Sequence, residues 1–254
     1  MKFTDLNLKS MLAFSPEAGK LQIDNDRVLL IRQDAMRTLR QLVFSSVGSL
    51  QARAIFTQFG YECGLHDFEM LNKSQNWDTD IDRLACGPMM HSWEGIVCAQ
   101  PETIDFNRET GQFFMKGKWI NSYEAEIHES LFGKTTEPVC HTLAGYASGW
   151  CTAFFGKPLL CLETMCVCKG DPHCEFQIKP DKDWGAAGLP WREALEATTQ
   201  NINSKLEGLL NVVQQQKDAI SQMSTPILQI WEGILVLPIV GIVDTERSSD
   251  MTDK

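Results

Sequence analysis

The chain has 254 residues, 43% of them hydrophobic, and a formal net charge of -10 at pH 7. This length and hydrophobic content are enough for one or two folded domains with a buried core. The negative charge and the lack of any run of Lys and Arg argue against contact with a phosphate backbone, so direct nucleic-acid binding is not expected.

The sequence also bears on the compartment. No signal-peptide pattern is visible near Met1, and the apolar residues 227–243 contain Gln229, Glu232 and Pro238 and are short for a membrane span. We therefore expect a cytoplasmic protein with no membrane partner and interpret residues 227–243 as buried strand. The nine cysteines are then expected to stay reduced, which points to thiolate chemistry or metal binding.

Hydrophobic periodicity predicts an α+β fold with a mixed antiparallel sheet and packed helices, because segments of period two alternate with segments of helical period. The predicted elements are, in chain order, a hairpin that turns near 24–26, two amphipathic helices within 33–63, a polar break at 72–82, antiparallel strands within 91–119 that turn at 107–111, helices at 122–132 and 139–155, and a hairpin that turns at 169–172.

Mostly apolar residues recur in steps of four and three after a Gly-containing linker at 181–189. These positions are Leu195, Thr199, Ile202, Leu206, Leu209, Val213, Gln216, Ile220 and Met223. The spacing predicts a helix of about 32 residues with a single apolar seam. A helix packed on its own domain is one alternative, but the polar flanking positions favour a parallel dimeric coiled coil.

The last predicted hairpin carries candidate metal ligands. Glu163, Cys166 and Cys174 place a carboxylate and two thiols around one tight turn, and zinc needs N, S or O donors that converge at about 2.0 to 2.3 Å. The same region offers three competing donors, Cys161, Cys168 and His173. Strand alternation puts Glu163 and Cys166 on opposite faces unless a bulge intervenes, and free cysteines are often buried without a metal.

Several segments in a fixed order carry a resemblance to a known family. They are FSPEAGKLQIDNDRVLLI, ARAIFTQFGYECGLHD, GPMMHSWEG, KWINSYEAEIH, EPVCHTLAGYASGW, and an E-x-x-C followed by a second Cys eight residues later. Through them, residues 11–180 resemble the sensory region of phenol- and xylene-responsive bacterial transcription activators. The resemblance implies a XylR-N-like aromatic-sensor region at 1–115 and a zinc-containing 4-vinyl-reductase-type region at 116–180.

The resemblance implies two sites as well. The family's structural zinc is held by residues that correspond here to Cys140, Glu163, Cys166 and Cys174, with Cys168 and His173 as neighbours. The family holds a phenolic hydroxyl through residues that correspond to His91 and Trp119. Further aromatic residues are candidates for the pocket wall or for ordinary core: Trp93, Phe113, Phe114, Tyr123 and Tyr146.

Residues 221–247, SQMSTPILQIWEGILVLPIVGIVDTER, resemble the entry of a STAS domain as found in stressosome sensor proteins. Only the first strands of such a domain fit into residues 224–254, so we expect this segment to be truncated or to lean on a partner. The ATP-hydrolysing motor of the activator family is not expected, because the sequence contains no G-x-x-x-x-G-K-[ST] loop.

The leading hypothesis is a homodimeric sensor that is not an enzyme. It binds a small phenol-like effector and relays binding through the coiled coil at 190–223 to a STAS-type output or to stressosome-like partner proteins. One rival is a zinc or thiol redox sensor based on Cys166, Cys168 and Cys174. The other is an enzyme for a vinyl-bearing or aromatic substrate, with His66, His128 or His141 as bases but no paired carboxylate in the sequence pattern.

Overall fold

The computed structural model describes residues 1–23, 26–192, 208, 210–217 and 228–236. The chain divides into two compact units, Met1–Thr198 and Thr199–Lys254. In the described part of the first unit, helices pack against antiparallel sheets, which confirms the predicted α+β class. No helix among the described residues is long and apolar enough to cross a bilayer.

The first unit begins with the short helix α1 (Leu8–Met11) and a small antiparallel sheet in the order β1-β2-β3. Its strands are Leu12–Ser15, Lys20–Ile23 and Asp26–Val28. Ile23 pairs with Asp26, so the hairpin predicted near residues 24–26 is confirmed, with residues 24 and 25 outside the described part of the chain.

The long helix α2 (Gln33–Ser74) changes direction at Gly48, whose φ of 80° and ψ of 169° are not helical. It therefore consists of two helical segments, as predicted, but the second continues well beyond residue 63. Helix α3 (Asp80–Trp93) begins after Thr79, whose hydroxyl accepts the backbone N–H of Asp82. The prediction that strands begin at residue 91 was wrong, because α3 continues through Pro88 to Trp93.

The remaining elements of the first unit form one sheet with two helices inserted between its hairpins. They are β4 (Cys98–Asn107), β5 (Gln112–Ile120), α4 (Tyr123–Phe132), α5 (His141–Phe155), β6 (Leu159–Met165) and β7 (Cys174–Pro180). The strands pair antiparallel in the order β4-β5-β7-β6. Along β5, Phe113, Met115 and Trp119 alternate with less buried residues, so one face of the sheet is turned to the core.

Helices α2 and α5 touch backbone to backbone through four glycines. A Cβ added at Gly60 or Gly64 would lie 2.1 or 2.2 Å from a carbonyl oxygen of α5, and one at Gly145 or Gly149 would lie 2.0 Å from a carbonyl oxygen of α2. Contacts this close leave no room for a side chain on either helix. The relative position of the two helices is therefore fixed by the sequence positions of these glycines.

A buried ion pair joins the first segment of α2 to α4 and α5. The Arg40 guanidinium donates to Glu124 at 2.7 Å, to Nδ1 of His128 at 3.1 Å and to the Val139 carbonyl oxygen at 2.6 Å. The second carboxylate oxygen of Glu124 accepts the backbone N–H of Leu143 at 3.0 Å. Both charges are thus paired and hydrogen-bonded, which a buried ion pair requires to be tolerated.

The described part of the second unit comprises helical residues 210–217 and the hairpin of β8 (Leu228–Trp231) with β9 (Ile234–Val236). Most of the predicted coiled-coil helix at 190–223, and most of the STAS-like segment at 224–254, lie outside the described residues. The interpretation of residues 227–243 as buried strand was wrong for the hairpin, because Ile230, Trp231 and Leu235 are all more than half exposed.

Substitution of Gly149 by alanine tests the helix contact. Alanine normally stabilises a helix interior by about 1 kcal/mol relative to glycine. Here the added Cβ would lie 2.0 Å from the Tyr61 carbonyl oxygen, so Gly149→Ala is expected to lower the free energy of unfolding by about 2 kcal/mol. Urea denaturation measures the change. A stabilised Gly149→Ala protein would contradict the backbone contact, and Ala153→Gly on the same helix calibrates the propensity effect alone.

Candidate functional site

A small cavity of about 30 Å³ lies between α3, α5 and the inner face of the sheet. It is lined by Leu84, Gly87, Pro88 and His91 of α3, Ala99 of β4, Met115 and Trp119 of β5, Leu143, Tyr146, Ala147, Trp150 and Cys151 of α5, and Phe176 and Ile178 of β7. On α3, Gly87 and Pro88 lie three and four residues after Leu84 and four and three residues before His91, so all four share one face of the helix. Most of the lining is apolar or aromatic.

Two hydrogen-bonding groups stand out in this lining. His91 is 6% exposed and lies with its ring centroid 3.8 Å from that of Tyr146, and burial lowers the pKa of His91 to about 3. Its imidazole is therefore neutral near pH 7, with one nitrogen donating and the other accepting. Among the described residues, neither the His91 imidazole nor the Trp119 indole N–H has a hydrogen-bond partner, so both can bind a polar group in the cavity.

The predicted pocket residues divide into two sets. His91, Trp119 and Tyr146 line the cavity. Trp93 is 44% exposed at the end of α3, and Phe113, Phe114 and Tyr123 also lie outside the cavity lining. Phe113 is ordinary core, since its ring packs edge-on against Phe155 at 5.3 Å.

Several lining residues were not predicted, among them the α3 residues other than His91, Trp150, and the sulfur-bearing Met115 and Cys151. The signal for the α3 residues was their helical spacing, which was hidden because this segment was not predicted as a helix. Trp150 also falls on the same face of α5 as Tyr146, four residues away, so it could have been found from the predicted helix at 139–155.

A second cluster brings together Cys140, Glu163, Cys166 and Cys174, whose candidate ligand atoms all lie within 4.8 Å of one another. Cys140 caps the start of α5, Glu163 lies in β6, and Cys174 begins β7. The pairing of β6 with β7 shifts register between Glu163 and Met165. This bulge is the irregularity that lets Glu163 and Cys166 face the same point despite strand alternation.

The sulfur spacing in this cluster is suited to a tetrahedral ion. The Cys174 sulfur lies 3.9 Å from that of Cys140 and 4.0 Å from that of Cys166. Zinc–sulfur bonds of about 2.3 Å in a tetrahedron place two sulfurs about 3.8 Å apart. The four side chains can therefore hold a metal ion, and three thiols with one carboxylate are donors that zinc accepts.

The surroundings of Glu163 also fit a cation. One carboxylate oxygen accepts the backbone N–H groups of Val139 at 3.1 Å and Cys140 at 2.9 Å, whereas the other is buried with no hydrogen-bond partner among the described residues. Burial raises the pKa of Glu163 to about 8. An unpartnered buried carboxylate oxygen is costly, and a metal ion at this point would satisfy it.

The competing donors of the hairpin are not among the four clustered side chains. The Cys168 thiol donates to the Ala125 carbonyl oxygen at 3.1 Å, and neither Cys161 nor His173 belongs to the group. Cys168 therefore has a separate role in joining the hairpin to α4.

Comparisons with known proteins show what the chain is similar to. Residues 7–107 match the XylR N-terminal family, described as activator of aromatic catabolism, and residues 119–180 match the 4-vinyl-reductase-type domain. The chain is 30% identical over 178 residues to the phenol regulator MopR of Acinetobacter guillouiae and 31% identical over 179 residues to the transcriptional regulatory protein XylR of Pseudomonas putida. Each alignment covers 70% of this chain but only 32% of the regulator, so the chain spans about a third of their length.

A crystal structure of the phenol-responsive sensory domain of the transcription activator PoxR with phenol shares the fold, with a TM-score of 0.70 and 30% sequence identity. The alignment covers 76% of this chain and 94% of that domain. The fold and the two sites thus define a sensory domain in which a XylR-type N-terminal region precedes a 4-vinyl-reductase-type domain. The chain belongs to the family of activator sensory domains that includes the PoxR domain.

The buried imidazole of His91 predicts a dependence of stability on pH. Its pKa is about 3 in the folded protein and about 6.5 in the unfolded chain. In this pH range the His91 imidazole binds a proton in the unfolded chain but not in the folded protein. The free energy of unfolding therefore decreases as pH falls from 6.5 towards 3. Between pH 7.5 and 5.5, we expect the His91→Leu variant to lose about 1 kcal/mol less free energy of unfolding than the unsubstituted protein.

Urea denaturation at both pH values measures this difference. His66→Leu, at an exposed position of α2, serves as the matched control. Equal pH dependence in His91→Leu and the unsubstituted protein would contradict a neutral, buried His91.

Proposed function

We propose that this protein is a sensor domain whose effector is a small aromatic molecule bearing a hydroxyl group. The observation that carries the proposal is the apolar cavity between α3, α5 and the sheet, with the unpartnered His91 imidazole and Trp119 indole N–H in its lining. The phenol-bound PoxR domain, which shares the fold, supports the same class of effector.

Hydrogen-bond matching makes this cavity selective for phenols over plain hydrocarbons. Trp119 can only donate a hydrogen bond, whereas the neutral imidazole of His91 can accept the phenolic proton. A hydrocarbon ring would displace water from both groups without forming a hydrogen bond to either. Each buried group left without a partner costs about 1 to 3 kcal/mol of binding free energy. The apolar walls bind the ring, and the two polar groups distinguish a ring with a hydroxyl group from one without it.

Effector binding is expected to widen the cavity. A volume of about 30 Å³ has room for little more than water-sized molecules. A cavity that binds benzene in another protein measures about 150 Å³. An aromatic effector therefore selects a state in which the walls lie farther apart, and that difference in affinity between two states is what a sensor requires.

The metal cluster is proposed to hold a structural zinc ion through Cys140, Glu163, Cys166 and Cys174. Four protein ligands leave no open position for a water nucleophile, so this ion would stabilise the fold rather than carry out a reaction. Its ligands come from the start of α5, from β6, from the β6–β7 turn and from β7, and a bound ion would fix these elements together. The named relatives are regulators, which supports a function other than catalysis.

We propose further that the protein is a cytoplasmic homodimer and that it transmits effector binding through a coiled coil at 190–223. The signal would pass to a STAS-type segment at 224–254 and to its partner proteins. Exposed apolar side chains before and along the first segment of α2 support a contact with a second chain. They are Leu29, Leu30, Ile31, Leu39 and Leu42.

Calorimetric titration of the zinc-loaded protein with phenol, catechol, cresols and benzene tests the effector class. Phenol is expected to bind at least ten-fold more tightly than benzene. Trp119→Phe retains an aromatic wall but removes the N–H group, and His91→Leu removes the acceptor. Each variant is expected to lose most of the preference for phenol over benzene, a change of about 1 kcal/mol.

Ile178→Val is the matched control, because Ile178 lines the same cavity without a polar group. It should weaken phenol and benzene binding alike. If folded protein binds no aromatic compound, the effector assignment fails.

Metal analysis of the purified protein tests the zinc proposal. One equivalent of zinc is expected, and Cys140→Ser and Cys174→Ser are expected to lose it together with several kcal/mol of stability. Cys168→Ser should retain the ion, because its thiol bonds to the Ala125 carbonyl oxygen instead. Retention of zinc by Cys174→Ser would contradict the ligand set. Release of the ion by peroxide from a protein that binds no phenol would instead support the redox-sensor alternative.

A further inference from the structure

The effector cavity has two chemically different ends. The Ala99 amide donates to the Ser92 hydroxyl at 3.2 Å, and Ala99 pairs with Trp119 in the sheet. Trp119 therefore lies near the same end of α3 as His91. Leu84 lies two helical turns, or about 10 Å, earlier along α3. This distant end is apolar, because Leu84 and the Trp150 indole, which contacts its backbone, both line the cavity there.

Trp150 is held at the apolar end by a hydrogen bond that depends on Pro88. In a regular helix, the carbonyl oxygen of Leu84 would accept the backbone N–H of residue 88, but proline has none. The indole N–H of Trp150 takes this position and donates to the Leu84 carbonyl oxygen at 3.1 Å. The bond satisfies a buried acceptor that would otherwise be unpaired, so it resists displacement.

The indole also lies against α3 at a place where no side chain intervenes. A Cβ added at Gly87 would lie 2.6 Å from Cδ2 and 2.7 Å from Cε2 of Trp150. Behind the indole, Phe68 packs edge-on with its ring centroid at 5.3 Å and an interplanar angle of 89°. The ring is therefore confined by the backbone of α3 on one side and by an aromatic ring on another.

We propose that Trp150, fixed by Pro88 and Gly87, is the residue that limits the length of the effector. This inference rests on the proposed function, in which the effector hydroxyl binds His91 and Trp119. The ring substituent opposite the hydroxyl then points along α3 towards Trp150. Phenol and phenols with a methyl group at that position fit after a modest widening of the cavity. A longer substituent clashes with the Trp150 indole, which has no room to rotate.

Binding of phenol and 4-propylphenol to the zinc-loaded protein tests the role of Trp150. The unsubstituted protein is expected to prefer phenol. Trp150→Leu removes the indole but keeps an apolar wall, and it is expected to shift the affinity ratio at least ten-fold towards 4-propylphenol. Trp184→Leu is the matched control, because its indole N–H also donates to a backbone carbonyl oxygen, that of Leu160 at 2.8 Å, and Trp184 lies outside the cavity lining.

Two further variants keep the test decisive if Trp150→Leu does not fold. Trp150→Phe shortens the aromatic wall and removes the N–H group. Pro88→Ala returns a backbone donor to the Leu84 carbonyl oxygen and so weakens the hold on an intact indole. Both are expected to shift the ratio in the same direction by a smaller factor.

The outcomes separate this inference from the proposed function. If phenol binds to the unsubstituted protein and every folded variant retains the original ratio, the role of Trp150 is overturned while the effector class stands. The role is also overturned if Trp184→Leu shifts the ratio as much as Trp150→Leu does. If no phenol binds to folded, zinc-loaded protein, the proposed function itself fails.

Discussion

The backbone contact between α2 and α5 determines where both candidate sites lie. Glycines on each helix allow the two helices to approach so closely that neither can rotate or slide without a clash. Helix α5 then supplies Cys140 at its start to the metal cluster, and Tyr146 and Trp150 along its length to the cavity. One rigid helix therefore positions the metal ligands and the aromatic walls with respect to each other.

The two sites are also joined through the sheet. Trp119 in β5 pairs directly with Cys174 in β7, and the Trp119 ring stacks on Phe176, with ring centroids 4.8 Å apart. The indole that faces the cavity is thus a cross-strand neighbour of a candidate metal ligand. An ion that held Cys174 in place would also limit the movement of Trp119, so a metal bound by this cluster would be physically linked to the cavity wall.

The sequence was informative where local signals decided the structure. Helix α4 begins after Ser122, whose hydroxyl accepts the backbone N–H of Ala125, in agreement with the helix predicted at 122–132, and the β6–β7 hairpin turns at Gly170, within the turn predicted at 169–172. Helix α3 was missed because Pro88 normally disrupts a helix, and the bond that compensates comes from Trp150, far away in the sequence. The same error explains why Trp93 was predicted as a candidate for the pocket wall although its side chain is exposed. On a helix, residues two positions apart point in nearly opposite directions, so a neighbour of His91 faces solvent.

The walls of the cavity differ in how firmly they are held, and this decides which one an effector moves. Helix α5 is fixed by its backbone contact with α2, and β7 is paired on both sides within the sheet. Helix α3 is held at its Leu84 end by the hydrogen bond from Trp150 to a backbone carbonyl oxygen, whereas the contact at its other end is the ring pair of His91 and Tyr146. Of these two contacts, the ring pair yields at the lower cost. Side-chain contacts yield at lower cost than close-packed backbones or sheet pairing. Because the effector must widen a small cavity, we expect the displacement to fall on the His91 end of α3, and the loop that joins α3 to β4 would carry it into the sheet.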